Sequence, residues 1–244
     1  MIINIAKTPE ELGRIASKDI AAHLNKAIAK KGHARLLLST GASQFETLSS
    51  LVKENVAWDK VTMFHLDEYV ALPESHVASF RKYLKERFVS QITLEAAYYV
   101  NGEGDIEKNI KELSDILKEK PIDVGVIGIG ENGHIAFNDP PADFYTNDTY
   151  KVVTLDDRCK KQQVGEGWFK TIDDVPKEAI TICVKQILLS KVIISCVPHG
   201  VKAEAIKNTL SQAVNPNVPA TILKTHPAWH LYLDCESAKG FFNI

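Results

Sequence analysis

The period of the apolar positions changes repeatedly along the chain. Over residues 8–31, Leu12, Ile15, Ala16, Ile20, Leu24 and Ile28 recur every three or four positions, and Gly32 follows. That is the spacing of one helical face and a residue that closes helices. Residues 34–38 then form a short, mostly apolar run too compact for a helix, which predicts a strand. Further runs of this kind fall at 61–66, 122–127, 192–197 and 231–233. Helical patterns lie between them around 43–55, 76–89, 105–119, 178–189 and 200–212. Strands alternating with helices predict an α/β fold: one doubly wound, mostly parallel sheet with helices on both faces. No linker or charge block divides the chain, so a single domain is expected over residues 1–244. The least patterned stretch, 138–174, carries Pro140 and Pro141 near its start and is expected to serve as a lid.

Composition narrows the function classes. Hydrophobic residues make up 45% of the 244 positions and charged residues 25%, the balance of a folded globular protein, which excludes disordered and low-complexity readings. With 29 Lys and Arg against 31 Asp and Glu, the net charge of -2 provides no positive field for nucleic acid or an anionic membrane. A small molecule is the expected partner. Cys159, Cys183, Cys196 and Cys235 are widely spaced, with no C-x-x-C pair, and are expected to be free buried thiols rather than metal ligands. The first residues lack the basic and apolar segments of an export signal, and no apolar run approaches the roughly 18 residues of a membrane span. A cytoplasmic location is expected.

In a parallel α/β sheet, ligands sit beyond the carboxyl ends of the strands, and three of those ends are rich in chemistry. The first is Ser39-Thr40-Gly41-Ala42-Ser43, a glycine among hydroxyl residues where a helix begins. It suits either a phosphate or a plain capped turn. At the second, Asp67 and Glu68 stand side by side where a buried run emerges. Burial raises a carboxyl's proton affinity, so one of them can serve as a base, and a salt-bridged or helix-capping pair is the structural alternative. His65 is expected to be a packed histidine. The third end runs from Gly128 through Gly130, Glu131, Asn132, Gly133 and His134 to Asn138 and Asp139. Its glycines let the backbone approach a ligand, and His134 can move protons if Asp139 or Asn132 orients its ring. The glycine spacing lacks the remaining features of a dinucleotide site, and no third His or Cys lies nearby for a metal. No cofactor is expected.

These blocks carry a resemblance. L-L-L-S-T-G at 36–41, L-D-E-Y-V at 66–70, G-I-G-E-N-G-H-I-A-F-N at 128–138, V-P at 175–176, K-A at 202–203 and P-A-T-I-L at 219–223 resemble the glucosamine-6-phosphate deaminase (isomerase) family, which shares its fold with 6-phosphogluconolactonases. The resemblance implies an aldose–ketose isomerisation with loss of ammonia, in which glucosamine 6-phosphate and water give fructose 6-phosphate. It implies that Asp67 shuttles a proton between C2 and C1, and that His134 helps to open the sugar ring. It also implies that Asp139, standing where the family usually has Glu, orients that histidine with Asn132 beside it. Lys202 and the Thr40–Ser43 loop match the family's phosphate site, to which Ser39, Glu68, Gly130 and Arg158 are added as candidate substrate contacts. The family's phosphate arginine falls at Gln163 or Gly167, neither of which reproduces a guanidinium's two-point grip. Arg158, Lys160 or Lys161 would then supply the charge. Two alternatives remain at this level: a lactonase of the same fold, which the Phe137-Asn138-Asp139 block disfavours, and a non-catalytic sugar-phosphate sensor. A homo-oligomer is compatible with all three.

Overall fold

Strand β1 (Ile2–Ala6) leads through Thr8 into helix α1 (Pro9–Lys31). The Thr8 side chain accepts a hydrogen bond from the Glu11 amide, and Pro9 occupies a position whose N–H has no helical partner to lose. The other elements, in chain order, are β2 (Ala34–Leu38), α2 (Phe45–Leu51), β3 (Val61–His65), β4 (Asp67–Tyr69), α3 (Phe80–Arg87) and β5 (Ala96–Tyr98). They continue as α4 (Ile106–Lys118), β6 (Val124–Val126), β7 (Tyr150–Thr154), α5 (Asp157–Gly165), β8 (Glu178–Ile182) and α6 (Val184–Leu188). Last come β9 (Val192–Val197), α7 (Ala203–Ser211), β10 (Trp229–Asp234) and α8 (Cys235–Ala238). The structure, a computed structural model, describes residues 1–242.

Seven strands form one sheet in the order β1-β10-β9-β6-β2-β3-β5, and every neighbouring pair is parallel. The expected doubly wound α/β fold is present. Starting from β2, the chain builds outward through β3 and β5, then returns to the other side of β2 to lay down β6, β9 and β10. The winding therefore reverses between β2 and β6. Loops leaving two such strands diverge to opposite faces and leave a crevice between them. Leu36 and Leu38 face a core shared with Leu12, Ala16, Ile20 and Leu24 of α1, whereas Leu37 faces one shared with Leu113, Leu117, Ile187 and Ile206. Burial on both faces is why β2 reads as an apolar run rather than as an alternation.

Outside this sheet, β4, β8 and β7 form a second, antiparallel one. It corrects two expectations. Segment 138–174 is not irregular: it contains β7 and α5, and Leu155, Cys159 and Phe169 join Tyr69, Phe80 and Phe137 in a third apolar cluster. Segment 178–189 is not one helix either, because 178–182 is strand β8 and the helix spans only Val184–Leu188. Apolar residues over so short a stretch satisfy either period, and pairing with β4 and β7, both remote in the chain, decides between them. No helix among the described residues is long and apolar enough to cross a membrane. All four cysteines are free; Cys159, Cys183 and Cys196 are buried, and Cys235 is half-buried.

Candidate active site

A cleft opens at the reversal point, beyond the carboxyl ends of β2, β3, β6 and β9. The 39–43 loop forms one wall, and all five of its residues line the cleft. The Ser39 amide donates to the Val126 carbonyl at 3.0 Å, which ties the loop to β6. Gly41 turns the chain at φ +102°, a conformation that side chains resist, and its carbonyl accepts a hydrogen bond from the Tyr83 hydroxyl at 2.9 Å. The Ser39 hydroxyl is buried in the wall with no hydrogen-bond partner among the described residues. A buried hydroxyl left in this state is available to a ligand.

The adjacent carboxylates Asp67 and Glu68 separate into two roles. The chain leaves β3 at His65 and joins the second sheet at Asp67, so this residue stands where the two sheets meet. Asp67 lines the cleft, is 6% exposed, and has no hydrogen bond to its carboxyl among the described residues. Burial, and secondarily the Glu68 charge, hold its pKa well above the ordinary aspartate value. Glu68 points away from the cleft, which corrects its expected place as a substrate contact. Its carboxylate is fully buried and accepts from Arg81 Nε at 3.1 Å, from the Ser79 hydroxyl at 2.8 Å, and from the Phe80 and Arg81 amides at 3.2 and 2.9 Å. It thereby pins the N-terminus of α3 to β4. Successive strand residues face opposite sides, and so one carboxylate lies on the cleft while the other enters the core. His65 is packed as expected. The Val100 amide donates to its Nε2 at 2.6 Å, and burial, with Arg81 nearby, pushes its pKa down to about 3.

The loop after β6 brings His134 to the cleft through a chain of short contacts. His134 Nδ1 lies 2.6 Å from Asn132 Oδ1, which also accepts from the His134 amide at 3.0 Å. The amide group of Asn132 donates in turn to Asp139 Oδ1 at 3.0 Å, while that oxygen is 3.3 Å from His134 Nδ1. With Asn132 offering its oxygen to the ring and its NH2 to the carboxylate, Nδ1 must carry the proton, which leaves Nε2 as the ring nitrogen free for other work. Asn132 is thus the direct partner of the ring, and Asp139 braces both. Burial pushes the Asp139 pKa up, but hydrogen bonds from His134, Asn132 and Cys159 bring it below the ordinary value. Gly130 is indispensable here: a Cβ at this position would lie 2.1–2.3 Å from three atoms of the His134 ring.

Lys202 stands across the cleft, in the turn before α7, and is only 6% exposed. Among the described residues it has no ion pair within 4 Å and no side-chain hydrogen bond. Burial lowers its pKa, opposed by the Glu166 and Glu131 charges that also face the cleft. A buried cation without a direct partner, in the same cleft as an unsatisfied serine hydroxyl, makes the cleft suited to an anion. Arg158 is not in the cleft wall. It lines an adjoining groove with Lys161 and shares Glu131, Gln162 and Glu166 with the cleft. Its expected direct contact is corrected accordingly, because α5 turns position 158 outward.

The sequence pattern of the glucosamine-6-phosphate isomerase/6-phosphogluconolactonase family matches residues 7–231. The chain belongs to this family. It is 36% identical over 233 residues to the glucosamine-6-phosphate deaminase of Staphylococcus epidermidis, covering 92% of this chain and 94% of that one. The enzyme of the same name from Bacillus thuringiensis is 33% identical over 238 residues, covering 97% and 88%. Among solved structures, a monomeric glucosamine-6-phosphate deaminase superposes with a TM-score of 0.89 at 29% identity, covering 98% of this chain and 100% of that one. A 6-phosphogluconolactonase from Shewanella baltica superposes at 0.78 with 18% identity, covering 96% and 98%, a likeness of fold.

Within this family fold, the cleft also holds residues that sequence reasoning did not place. Phe80, Phe137, Glu166 and Trp168 line it, and His199 stands beside Lys202. Glu166 is held by Gln162 Nε2 at 2.8 Å and Trp168 Nε1 at 3.0 Å. Gln162, Glu166 and Trp168 sit on α5 and the turn after it, a segment without apolar periodicity, so nothing local marked them. Of the two positions weighed for the family arginine, Gln163 reaches the cleft and Gly167 does not. Gln163 is buried, and its Oε1 accepts from the Tyr69 hydroxyl at 2.7 Å.

Proposed function

We propose that this protein deaminates an amino-sugar phosphate, converting glucosamine 6-phosphate and water to fructose 6-phosphate and ammonia. One observation carries the reading: the same cleft holds Asp67, a buried carboxyl without hydrogen bonds among the described residues, and an imidazole whose Nε2 is freed by the Asn132–Asp139 relay. An aldose–ketose conversion needs both, a base that moves a proton between neighbouring carbons and a group that opens the ring. The names of the relatives at 33–36% identity support the same reaction.

In this reading, His134 Nε2 takes the proton of the anomeric hydroxyl and returns it to the ring oxygen as the ring opens. Asp67, ionised, removes the proton from C2, the electron pair forms the C1=C2 bond, and O1 takes a proton from the substrate's own C2 ammonium, which gives a neutral enol-amine. Asp67 then delivers that proton to C1, leaving an iminium at C2. Water adds to the iminium carbon, and ammonia leaves as the ketone forms. Burial strengthens Asp67 as a proton acceptor, bringing its proton affinity nearer to that of the weak carbon acid it must deprotonate. The phosphate lies against Lys202 and the 39–43 loop, which fixes C1 and C2 over Asp67.

The test is direct. The purified protein should release ammonia from glucosamine 6-phosphate and leave 6-phosphogluconolactone intact; lactone hydrolysis without ammonia, or tight binding of the sugar phosphate without turnover, would replace this reading by a lactonase or a sensor. The relay has its own expected result. Asp139→Ala should slow ammonia release by about 10- to 100-fold, the usual cost of losing a group that orients a functional histidine. A wild-type rate for that variant would remove Asp139 from the mechanism.

A further inference from the structure

Far from the cleft, three potential metal ligands converge between α1 and β10. Asp19 and His23 are four residues apart, one turn along the same face of α1, and His230 is near the start of β10. Strand β10 is parallel to its neighbours, so its first residues lie at the end of the sheet opposite the cleft. His230 Nδ1 is 2.6 Å from Asp19 Oδ2, and His23 Nε2 is 3.4 Å from Asp19 Oδ1. One ligand atom from each residue lies within 4.8 Å of those of the other two. The two imidazoles meet edge to face, with centroids 5.4 Å apart. We propose that Asp19, His23 and His230 form a zinc-binding site that staples helix α1 to strand β10.

The chemistry of the set favours zinc. Two imidazoles and a carboxylate are borderline ligands of the kind Zn2+ takes, whereas calcium and magnesium require mostly oxygen. Ligands about 2.1 Å from a tetrahedral ion stand roughly 3.4 Å from one another. The His23–Asp19 separation already has that value. His230 Nδ1 lies on the other carboxylate oxygen, Oδ2, and that pair needs to open by under an ångström, exchanging the proton between them for the ion. Asp19 is also held from behind, because the Tyr232 hydroxyl donates to its Oδ2 at 2.8 Å. Tyr232 follows His230 by two residues and therefore shares its face of the strand. An oriented carboxylate with an outer hydrogen-bond partner is the usual support of a metal ligand. The side chains of His230, Asp19 and His23 retain 14%, 23% and 26% exposure, so an ion can enter and keep a water on its open side. The cluster interrupts an otherwise apolar contact, since Ala16, Ile20 and Leu24 of the same helix are fully buried against the sheet. Sequence reading could not find it: Asp19 and His230 are 211 positions apart.

The full chain, freed of metal by a chelator and dialysed, should bind one Zn2+ per molecule in a calorimetric titration. A free zinc concentration about a hundred times the dissociation constant should raise the melting temperature by roughly 5–10 °C, since metal binding to the folded state alone adds to stability. His23→Gln should weaken zinc binding at least tenfold while the metal-free melting temperature stays near the wild-type value, because within the cluster His23 makes only a 3.4 Å contact to Asp19 and an edge-to-face contact with His230. Asp19→Asn, which preserves the size of the side chain beside Tyr232, should weaken it likewise. Ammonia release from glucosamine 6-phosphate is a separate readout and is not needed for either result. Failure of the wild type to bind zinc, or equal affinity in the wild type and both variants, would overturn the site.

Discussion

Asp67→Asn is expected to abolish ammonia release while preserving the fold and the affinity for sugar phosphate. An amide of the same shape fills the same place at the meeting of the two sheets, but it cannot accept the C2 proton. Positioned proton transfer contributes about 10²- to 10⁴-fold to a rate. The kcat should fall by at least that lower factor, with KM nearly unchanged, and a variant retaining more than a few per cent of wild-type kcat would exclude Asp67 as the shuttle. The same substitution should reveal the cost of the site. Burial, then the Glu68 charge, raise the Asp67 pKa in the folded protein. Between the ordinary aspartate value and that raised value the folded state holds a proton that the unfolded state has lost, so the contribution of Asp67 to stability declines as pH rises. Above the raised value the ionised side chain is a standing penalty. Asp67→Asn should therefore melt higher than the wild type at pH 8, by a margin that shrinks as pH is lowered toward 4. The pH profile of the wild type carries the same signature: the acid limb of kcat/KM should lie above the ordinary carboxylate range.

Lys202→Ala is expected to act on binding rather than on chemistry. Lys202 has no ion pair within 4 Å among the described residues, and Arg158 lies in the adjoining groove. A charge-assisted hydrogen bond contributes about 1.5–3 kcal/mol, so removing the ammonium should raise KM for glucosamine 6-phosphate by roughly 10- to 150-fold. The effect on kcat should be far smaller. Because Lys202 is only 6% exposed, added salt should screen this contact weakly. Burial lowers the Lys202 pKa, so its positive charge is lost at a lower pH than that of a surface lysine. KM of the wild type should accordingly rise on the alkaline side before kcat falls. An unchanged KM in Lys202→Ala, or equal turnover of unphosphorylated glucosamine, would move the phosphate elsewhere and reopen the substrate class.

Much of this molecule follows from local rules. The helical spacing after Thr8, the apolar runs of β2, β3 and β9, and the glycine-rich turns at their ends depend on neighbours in the chain, so the sequence by itself determined a parallel α/β sheet with chemistry at its strand ends. It also brought the 39–43 loop, Asp67 and His134 into view, since each lies where a buried strand emerges, while Lys202 came into view only through the family resemblance. Tertiary structure decided what requires a distant partner. Segment 178–182 is a strand because β4 and β7 pair with it, although its apolar spacing fits a helix as well. Asp67 and Glu68 are chemically alike and adjacent, and only the position of Arg81 and the N-terminus of α3 made one a buried anchor and left the other facing the cleft. Asn132, rather than Asp139, is the direct partner of the His134 ring because the tight turn over Gly130 places its oxygen 2.6 Å from Nδ1. His230 has no relation along the chain to Asp19 and His23, which share a face of α1, and meets them only because α1 lies across β10. Periodicity reports how a residue relates to its near neighbours and to water, whereas proton affinity and ligand geometry depend on which groups the fold brings within a few ångströms.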